Sequence, residues 1–388
     1  MRILLYGATG TIADSVFKIV KNNYKKFKIV AATCNTNYKK LEKLRIKYGI
    51  EKIGINNPKS AKKYKSLNRN INNKNLFIGN DNFPKLITND IDVIILAISG
   101  LSALNISYDI AKSGKLIGLA NKECIISLGP RLLLLAKKNK TKIIPLDSEH
   151  NSIYRLLESN KNKFKSITIT ASGGPFLNKK INFLKNVTPV QATKHPVWKM
   201  GKKISVDSAT MMNKALEIIE AKYLFNLNSD QINAIIHPES IIHAAINYYD
   251  DSSISLLSKP DMKIPISYLL KINNIAKKSD NIFQQLHSKN LTFYKINQNK
   301  FPAIRLAYKV MELGGLAPHI FNYNNEVLVD HFLQDKIKFL DIVKYNEITL
   351  NKFFKKNNNI NQPSLKDIHN SSIWINKNIF LGKIKYRK

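Results

Sequence analysis

The chain has 388 residues, enough for two or three domains with substantial cores. Its hydrophobic content is 44 %, that of a globular protein, and no apolar run is long enough to span a bilayer. Lys and Arg number 62 against 27 Asp and Glu, giving a formal net charge of +35, but the excess is Lys spread through YKK, KSAKKYK and AKKNKTK rather than one Arg-rich stripe. A solvated basic surface is expected, with no specific nucleic-acid partner and no membrane association.

MRILLYGATG enters directly on a strand and a glycine turn, without the layout of a signal or transit peptide, so a cytoplasmic protein is expected. The two cysteines, Cys34 and Cys124, form neither a disulfide framework nor a thiolate metal site. RILLYG reads as a strand, TIADSVFKIVKNN as a helix, FKIVAAT as a strand and YKKLEKLRIKYG as a helix. NPKSAKKYKSLNRNINNKN reads as a surface insertion, IDVIILAIS as a buried strand, LSALNISYDIAKSG as a helix, and KLIGLA and TKIIPL as further strands. Alternation of this kind predicts a parallel, doubly wound sheet over residues 1–147. Residues 148–271 read as a mixed α+β domain, 272–298 as a connecting segment and 299–388 as a small helical domain, with KNNNINQ as a loop.

Four stretches carry chemistry. YGATGTIADS places Gly7, Gly10 and Ala13 between a strand and a helix, a variant of the dinucleotide fingerprint in which small residues admit a pyrophosphate to the helix N-terminus. The second strand ends in Thr33, Cys34, Asn35, Thr36 and Asn37 with Lys39 and Lys40 following. An acid there would bond the ribose 2′-OH of NAD; none is present, and NADP is favoured. LANKEC sets Asn121, Lys122 and Glu123 at a strand end, where ligands bind in open parallel sheets, although a solvated loop also explains three polar residues.

PLDSEHNSI places Asp147 and Glu149 at i and i+2. On an extended segment both point the same way and repel, which a cation would relieve and which otherwise favours protonation. In SVDSATMMNKALEIIEAKYLF, Asn213, Lys214 and Glu217 share a helix face, with Ser208 as the expected cap. Ser208, Asn213 and Lys214 suit a phosphate, and Glu217 suits a third carboxylate ligand to Mg²⁺ or Mn²⁺. A surface Lys214–Glu217 salt bridge is the plainer alternative. ASGGPF offers Ser172 and a flexible, anion-compatible turn, and KHPVWKMGKK around Trp198 reads as a lid or as a loop packed down by its Trp. His195 and His243, taken singly, read as structural.

GATGTI, LANKE, PLDSEHN, ASGGPF, HPVWKMGKKISVDSATMMNKALE, IEA and IHPESIIH, in that order, resemble the 1-deoxy-D-xylulose 5-phosphate reductoisomerase family, and NNE at 324–326 continues the match. The resemblance implies a Rossmann-like NADPH domain, a catalytic α+β domain with a mobile lid that also forms a homodimer, and a C-terminal helical domain. It implies conversion of 1-deoxy-D-xylulose 5-phosphate to 2-C-methyl-D-erythritol 4-phosphate in non-mevalonate isoprenoid synthesis, with NADPH and Mg²⁺ or Mn²⁺, Co²⁺ being a further candidate.

Matching positions carry roles over. Gly7, Thr9, Gly10, Thr11 and Ile12 would hold the cofactor phosphates, Asn35 and Asn37 its adenosine end, Asn121 and Glu123 its nicotinamide side, and Gly201 would meet it from the lid. Asp147, Glu149 and Glu217 would bind metal. Lys122, Ser148, Glu149, Ser172, His195, Trp198, Ser208, Asn213, Lys214 and Glu217 would bind substrate, mainly its phosphate. Catalytic roles fall on Lys122, Asp147, Glu149, Glu217 and His243. Two positions depart from the family: Ala13 replaces a usual Gly, and Thr36 stands where many members carry a basic residue, leaving Lys39 or Lys40 to substitute. The rival readings are another NADP-linked oxidoreductase of a small phosphorylated or acidic substrate, a cofactor-binding protein that has lost catalysis, and a polyanion-binding protein.

Overall fold

The computed structural model describes residues 1–68, 72–198, 201–272 and 290–380, with 282 and 286. Most of the expected connecting segment, part of the insertion, and Lys199 and Met200 of the expected lid lie outside the described residues. The chain divides into two compact units.

The first unit holds a sheet of seven parallel strands: β1 (Arg2–Tyr6), β2 (Lys28–Cys34), β3 (Lys52–Ile55), β4 (Leu76–Ile78), β5 (Val93–Leu96), β6 (Leu116–Leu119) and β7 (Lys142–Pro145). Their order is β4-β3-β2-β1-β5-β6-β7. The central strands are apolar on both faces, as a sheet covered on both sides requires; Ile3, Leu4, Leu5, Val93, Ile94 and Ile95 are fully buried. The order reverses between β1 and β5, and a doubly wound sheet opens its ligand crevice at the carboxyl ends of the strands beside such a switch point.

Two expectations are corrected in this unit. The NPKSAKKYKSL stretch is not a bare insertion: Pro58–Leu67 is a helix with Pro at its first turn and Asn57 accepting from the Ser60 N–H at 2.9 Å, and it leads on to edge strand β4. The segment beginning at Asp261 groups with the first unit, although the sequence reading put it in the central domain. Packing explains this. Gly118 of β6 leaves a gap in which a Cβ would lie 2.4 Å from the Leu269 side chain, so Leu269 of the helix Lys263–Leu269 fills the space over the sheet.

The second unit contains a mixed sheet in the order β11-β10-β8-β9, with β8 (Ser166–Ala171), β9 (Ile232–Ile236), β10 (Ile242–Asn247) and β11 (Ser253–Leu257). β8 runs parallel to β9 and antiparallel to β10. Helices Ala303–Leu313, Ala317–Leu333, Asp341–Lys356 and Leu365–Phe380 form the helical region. Phe176, Leu184, Val206, Ala209, Leu328, Phe332 and Phe339 share one core, so the segments expected to bind phosphate and the late helices are packed as one body within this unit. Among the described residues no helix is long and apolar enough to cross a membrane.

Candidate active site

The glycine turn sits at the switch point of the parallel sheet. Gly7 has φ +83°, and a Cβ on it would lie 2.4 Å from the Ala97 carbonyl oxygen, so only glycine lets the turn close against the end of β5. The Gly7 N–H donates to Thr33 Oγ1 at 3.1 Å and the Ala8 N–H to the Thr33 carbonyl at 2.8 Å, which fixes the turn to β2. The helix Thr11–Asn22 starts at Gly10 with no side-chain cap, leaving its first N–H groups to an anion. Gly10 and Thr11 are exposed, while Thr9 and Ile12 are half-buried. Ala13 is fully buried, so its methyl group serves helix–sheet packing and the departure from glycine is harmless to the turn.

At the end of β2, Asn35, Thr36 and Asn37 are exposed. Asn37 Oδ1 caps the helix Tyr38–Tyr48 by accepting from the Lys40 N–H at 3.1 Å, and Asn35 Oδ1 accepts from Asn56 Nδ2 at 3.1 Å. Asn121 follows β6, is 1 % exposed, and is heavily engaged. Its Oδ1 caps the helix Lys122–Lys138 through the Cys124 N–H at 2.8 Å, and its Nδ2 donates to the carbonyls of Ile98 at 2.7 Å and Gly100 at 2.8 Å. Asn121 therefore fixes the loop after β5, residues 97–100, beside the glycine turn. The sequence reading passed over that loop; the signal was AISG directly after a buried strand.

Lys122 Nζ lies 2.6 Å from Asp147 Oδ2. The i, i+2 geometry expected for Asp147 and Glu149 is corrected: β7 ends at Pro145, and Ser148–Ser159 is a helix, so Glu149 lies in a first helical turn and Asp147 just before it. The Asn151 N–H donates to the Asp147 carbonyl at 2.8 Å, and Ser148 Oγ donates to Glu149 Oε2 at 2.5 Å. Asp147 offers a ligand atom within 4.8 Å of those of Glu149 and of His150. Burial pushes the Asp147 carboxyl up, but the Lys122 ammonium and His150 outweigh it and hold it well below the usual carboxylate range. At Asp147 the neighbouring positive charge therefore outweighs any repulsion between carboxylates. Hard oxygen donors without thiolate suit Mg²⁺ or Mn²⁺, and burial pushes the Cys34 thiol up to about 12, which keeps it out of metal chemistry.

The second unit gathers the remaining predicted residues. Gly173 and Gly174 have φ +82° and +65°, and a Cβ on Gly174 would lie 2.7 Å from the Ser208 carbonyl oxygen, so the turn beside Ser172 packs directly on the segment carrying Ser208. Ser208 is not a helix cap, contrary to expectation. It lies inside the helix Lys202–Ala209; the chain breaks at Met211, φ +61°, and restarts as Met212–Phe225. Gly201 is the exposed first boundary of that helix pair. On the second helix, Asn213 Nδ2 and Lys214 Nζ both donate to the Glu217 carboxylate. Lys214 and Glu217 are 3 % and 1 % exposed, which excludes the surface salt bridge.

Ser172 Oγ lies 3.1 Å from His195 Nε2, and the N–H groups of Val197 and Trp198 donate to His195 Nδ1 at 3.1 and 2.9 Å. Two donors aimed at Nδ1 require a lone pair there, so the neutral ring carries its proton on Nε2 and donates it to Ser172. Burial holds the His195 pKa down, to about 4. Unfolded His titrates near about 6.5, so the folded state disfavours the protonated ring. The stability from a neutral His195 is full above that value and is lost as pH falls from it towards about 4. NMR of the ring should show no titration between pH 8 and 5; a midpoint near the unfolded value would refute the assignment. The Trp198 ring lies 6.4 Å from that of buried His243. A further network was not foreseen: Asp207, 2 % exposed, accepts from Asn325 Nδ2 at 2.8 Å and pairs with Lys203 Nζ at 3.1 Å. NNE was the one visible trace of it.

Known proteins resemble this chain along most of its length. Family models for the 1-deoxy-D-xylulose 5-phosphate reductoisomerase match residues 3–129, for its C-terminal domain residues 143–225, and for the DXP reductoisomerase C-terminal domain residues 257–378. The 1-deoxy-D-xylulose 5-phosphate reductoisomerase of Clostridium novyi is 40 % identical over 370 residues, 94 % of each chain. That of Vesicomyosocius okutanii is 38 % identical, covering 96 % of each. A solved DOX-P reductoisomerase in complex with NADPH, fosmidomycin and magnesium superposes with a TM-score of 0.88 at 31 % identity over 97 % of both chains. The Zymomonas mobilis enzyme in complex with NADPH does so at 0.85 and 31 % over 96 %. With family models over most of its length and a relative 40 % identical over 94 % of both chains, the chain belongs to the 1-deoxy-D-xylulose 5-phosphate reductoisomerase family.

Proposed function

We propose that the protein catalyses the NADPH- and divalent-metal-dependent rearrangement and reduction of 1-deoxy-D-xylulose 5-phosphate to 2-C-methyl-D-erythritol 4-phosphate, a step of non-mevalonate isoprenoid synthesis. The observation that carries this reading is the uncapped glycine turn at the switch point of the parallel sheet, in a chain that matches a reductoisomerase over 94 % of both lengths. When bound, NADPH supplies the hydride and Mg²⁺ or Mn²⁺ the Lewis acidity.

The chain's own residues do the rest. The Gly7–Ile12 turn would hold the cofactor phosphates, with Asn35, Asn37, Glu123 and Gly201 contacting the remainder. Asn121 would act on the nicotinamide end chiefly by fixing loop 97–100. Asp147, Glu149 and Glu217 would hold the divalent ion. Ser148 and Glu149 would bond substrate oxygens, and the Lys122 ammonium would attract oxygen that becomes negative during reaction. Lys214 supplies a positive charge for the substrate phosphate, and Asn213, Ser208, Ser172 and His195 supply neutral hydrogen-bonding groups. Binding energy from this remote group orients the reacting carbons. Trp198, beside His243, would cover the substrate and exclude water. Trp198→Ala should raise KM and lower kcat together; unchanged kinetics in a folded variant would reduce Trp198 to a packing residue.

A homodimer is proposed, for which β11, an edge strand among the described residues with Ile254 41 % exposed, supplies a candidate pairing edge; light scattering would test it. Cytoplasmic residence suits two cysteines that form no disulfide. The whole proposal is tested by mixing the protein with 1-deoxy-D-xylulose 5-phosphate, NADPH and Mg²⁺ or Mn²⁺, following NADPH absorbance and identifying the product. Loss of absorbance with a branched-chain product is expected, abolished by chelator. Simple reduction of the ketone without rearrangement would favour the rival oxidoreductase, and no reaction would overturn the proposal.

A further inference from the structure

NADPH differs from NADH by one phosphate on the adenosine ribose, and a Rossmann-like domain meets that phosphate at the end of its second strand. Here that strand end offers no cation: Asn35, Thr36 and Asn37 are neutral and exposed. Two lysines follow. Lys39 is exposed, so its long side chain would lose rotamer freedom on meeting a ligand.

Lys40 is already ordered. It lies in the first turn of the helix Tyr38–Tyr48, and its Nζ crosses to the glycine turn, 2.8 Å from Asp14 Oδ1 and 3.2 Å from the Thr9 carbonyl oxygen. Both partners belong to the cofactor-binding turn and the first turn of the helix behind it. An ammonium has three N–H donors, and these contacts occupy two of them. The side chain remains 34 % exposed, so a ligand can reach the third.

We propose that Lys40 is the specificity-determining cation for the 2′-phosphate of NADPH, seated by Asp14 and the Thr9 carbonyl, and that Asp14 at the same time limits that specificity. This rests on the reading of the glycine turn as an NADPH site. Lys40 substitutes for the basic residue that Thr36 replaces, and its pre-ordering lowers the cost of using it. Asp14 has opposing effects. Its carboxylate holds the ammonium in place, yet its negative charge would repel a dianion bound by the same ammonium. An amide at this position would keep an acceptor for Lys40 and remove the repulsion.

The test is fluorescence titration of the full chain with NADPH and with NADH, without substrate or turnover. Lys40→Met should weaken NADPH about tenfold or more, as expected for one lost charge-assisted hydrogen bond, and leave NADH within about twofold. Lys40→Arg should keep the NADPH preference and so control for folding. Asp14→Asn should tighten NADPH several-fold, a gain about as large as one screened charge pair supplies, with little change for NADH. Adding Thr36→Lys to Lys40→Met should restore discrimination. Equal weakening of both dinucleotides by Lys40→Met, or an unchanged ratio of their affinities, would overturn the proposal while leaving NADPH binding intact. Wild-type protein that binds neither dinucleotide would instead bring down the functional reading and this inference with it.

Discussion

Glu217→Gln is expected to cost about a hundredfold or more in kcat, and also to lower the melting temperature. The first effect follows from the role proposed for Glu217 as a metal ligand: removing one anionic donor forfeits a few kcal/mol of transition-state stabilisation, and each ~1.4 kcal/mol is tenfold in rate. The second follows from burial. Lys214 and Glu217 are both almost wholly out of water, and Lys214 Nζ donates to the Glu217 carboxylate. Taking the charge from one member of a buried pair costs roughly 3–5 kcal/mol, because the other charge keeps its desolvation penalty. The buried pair thus makes this a change in stability as well as in catalysis. Thermal unfolding and calorimetric titration with Mn²⁺ separate the two effects. A variant with wild-type melting and wild-type metal affinity would remove Glu217 from both roles.

Asp147→Asn should be comparably severe for activity. Asp147 pairs with Lys122 at 2.6 Å and shares its surroundings with Glu149 and His150. Removing its charge leaves the Gly7–Ile12 turn untouched, so NADPH affinity is expected to persist while metal affinity and kcat/KM fall, the latter by about a hundredfold or more. The wild-type carboxyl lies below its ordinary range when folded. Its stabilising contribution is therefore present above the unfolded value of about 4 and is lost as pH falls further. Asp147→Asn should flatten the acid limb of a plot of melting temperature against pH. An unaltered acid limb would show that the Lys122 contact stabilises nothing.

How much of this could be read beforehand depended on whether the cause was local. Gly7 and Gly10 sit between an apolar strand and an amphipathic helix, and that pattern located the glycine turn at the switch point of the sheet. LANKE and DSE follow short apolar runs, and each lies at a strand end in the sheet. The local geometry of DSE was misread because KIIPL supports a strand up to Pro145 and nothing after it announces a helix starting at Ser148. The break at Met211 was equally hidden: a non-glycine residue at positive φ is imposed by its surroundings, and the sequence pointed to a cap at Ser208 instead. The Pro58–Leu67 helix had visible signals, Asn57 as cap and Pro58 at the first turn, but its lysines and asparagines masked them. The Lys40–Asp14 pair and the Asp207–Asn325 pair join residues far apart in sequence, where periodicity carries no information.

The Asp207–Asn325 contact bears on where the molecule is vulnerable. Asp207 directly precedes Ser208, and the side chain that fixes it comes from the helix Ala317–Leu333, far beyond the last residue expected to touch substrate. A protein cut before that helix would keep its glycine turn, its carboxylates and its lysines in sequence, yet would expose a carboxylate that is 2 % accessible in the intact chain and strip Phe332 and Phe339 from the core beneath Val206. Proteolysis late in the chain should therefore abolish phosphate recognition before it disturbs dinucleotide binding, and compounds that wedge open this helix contact would inhibit without resembling any substrate.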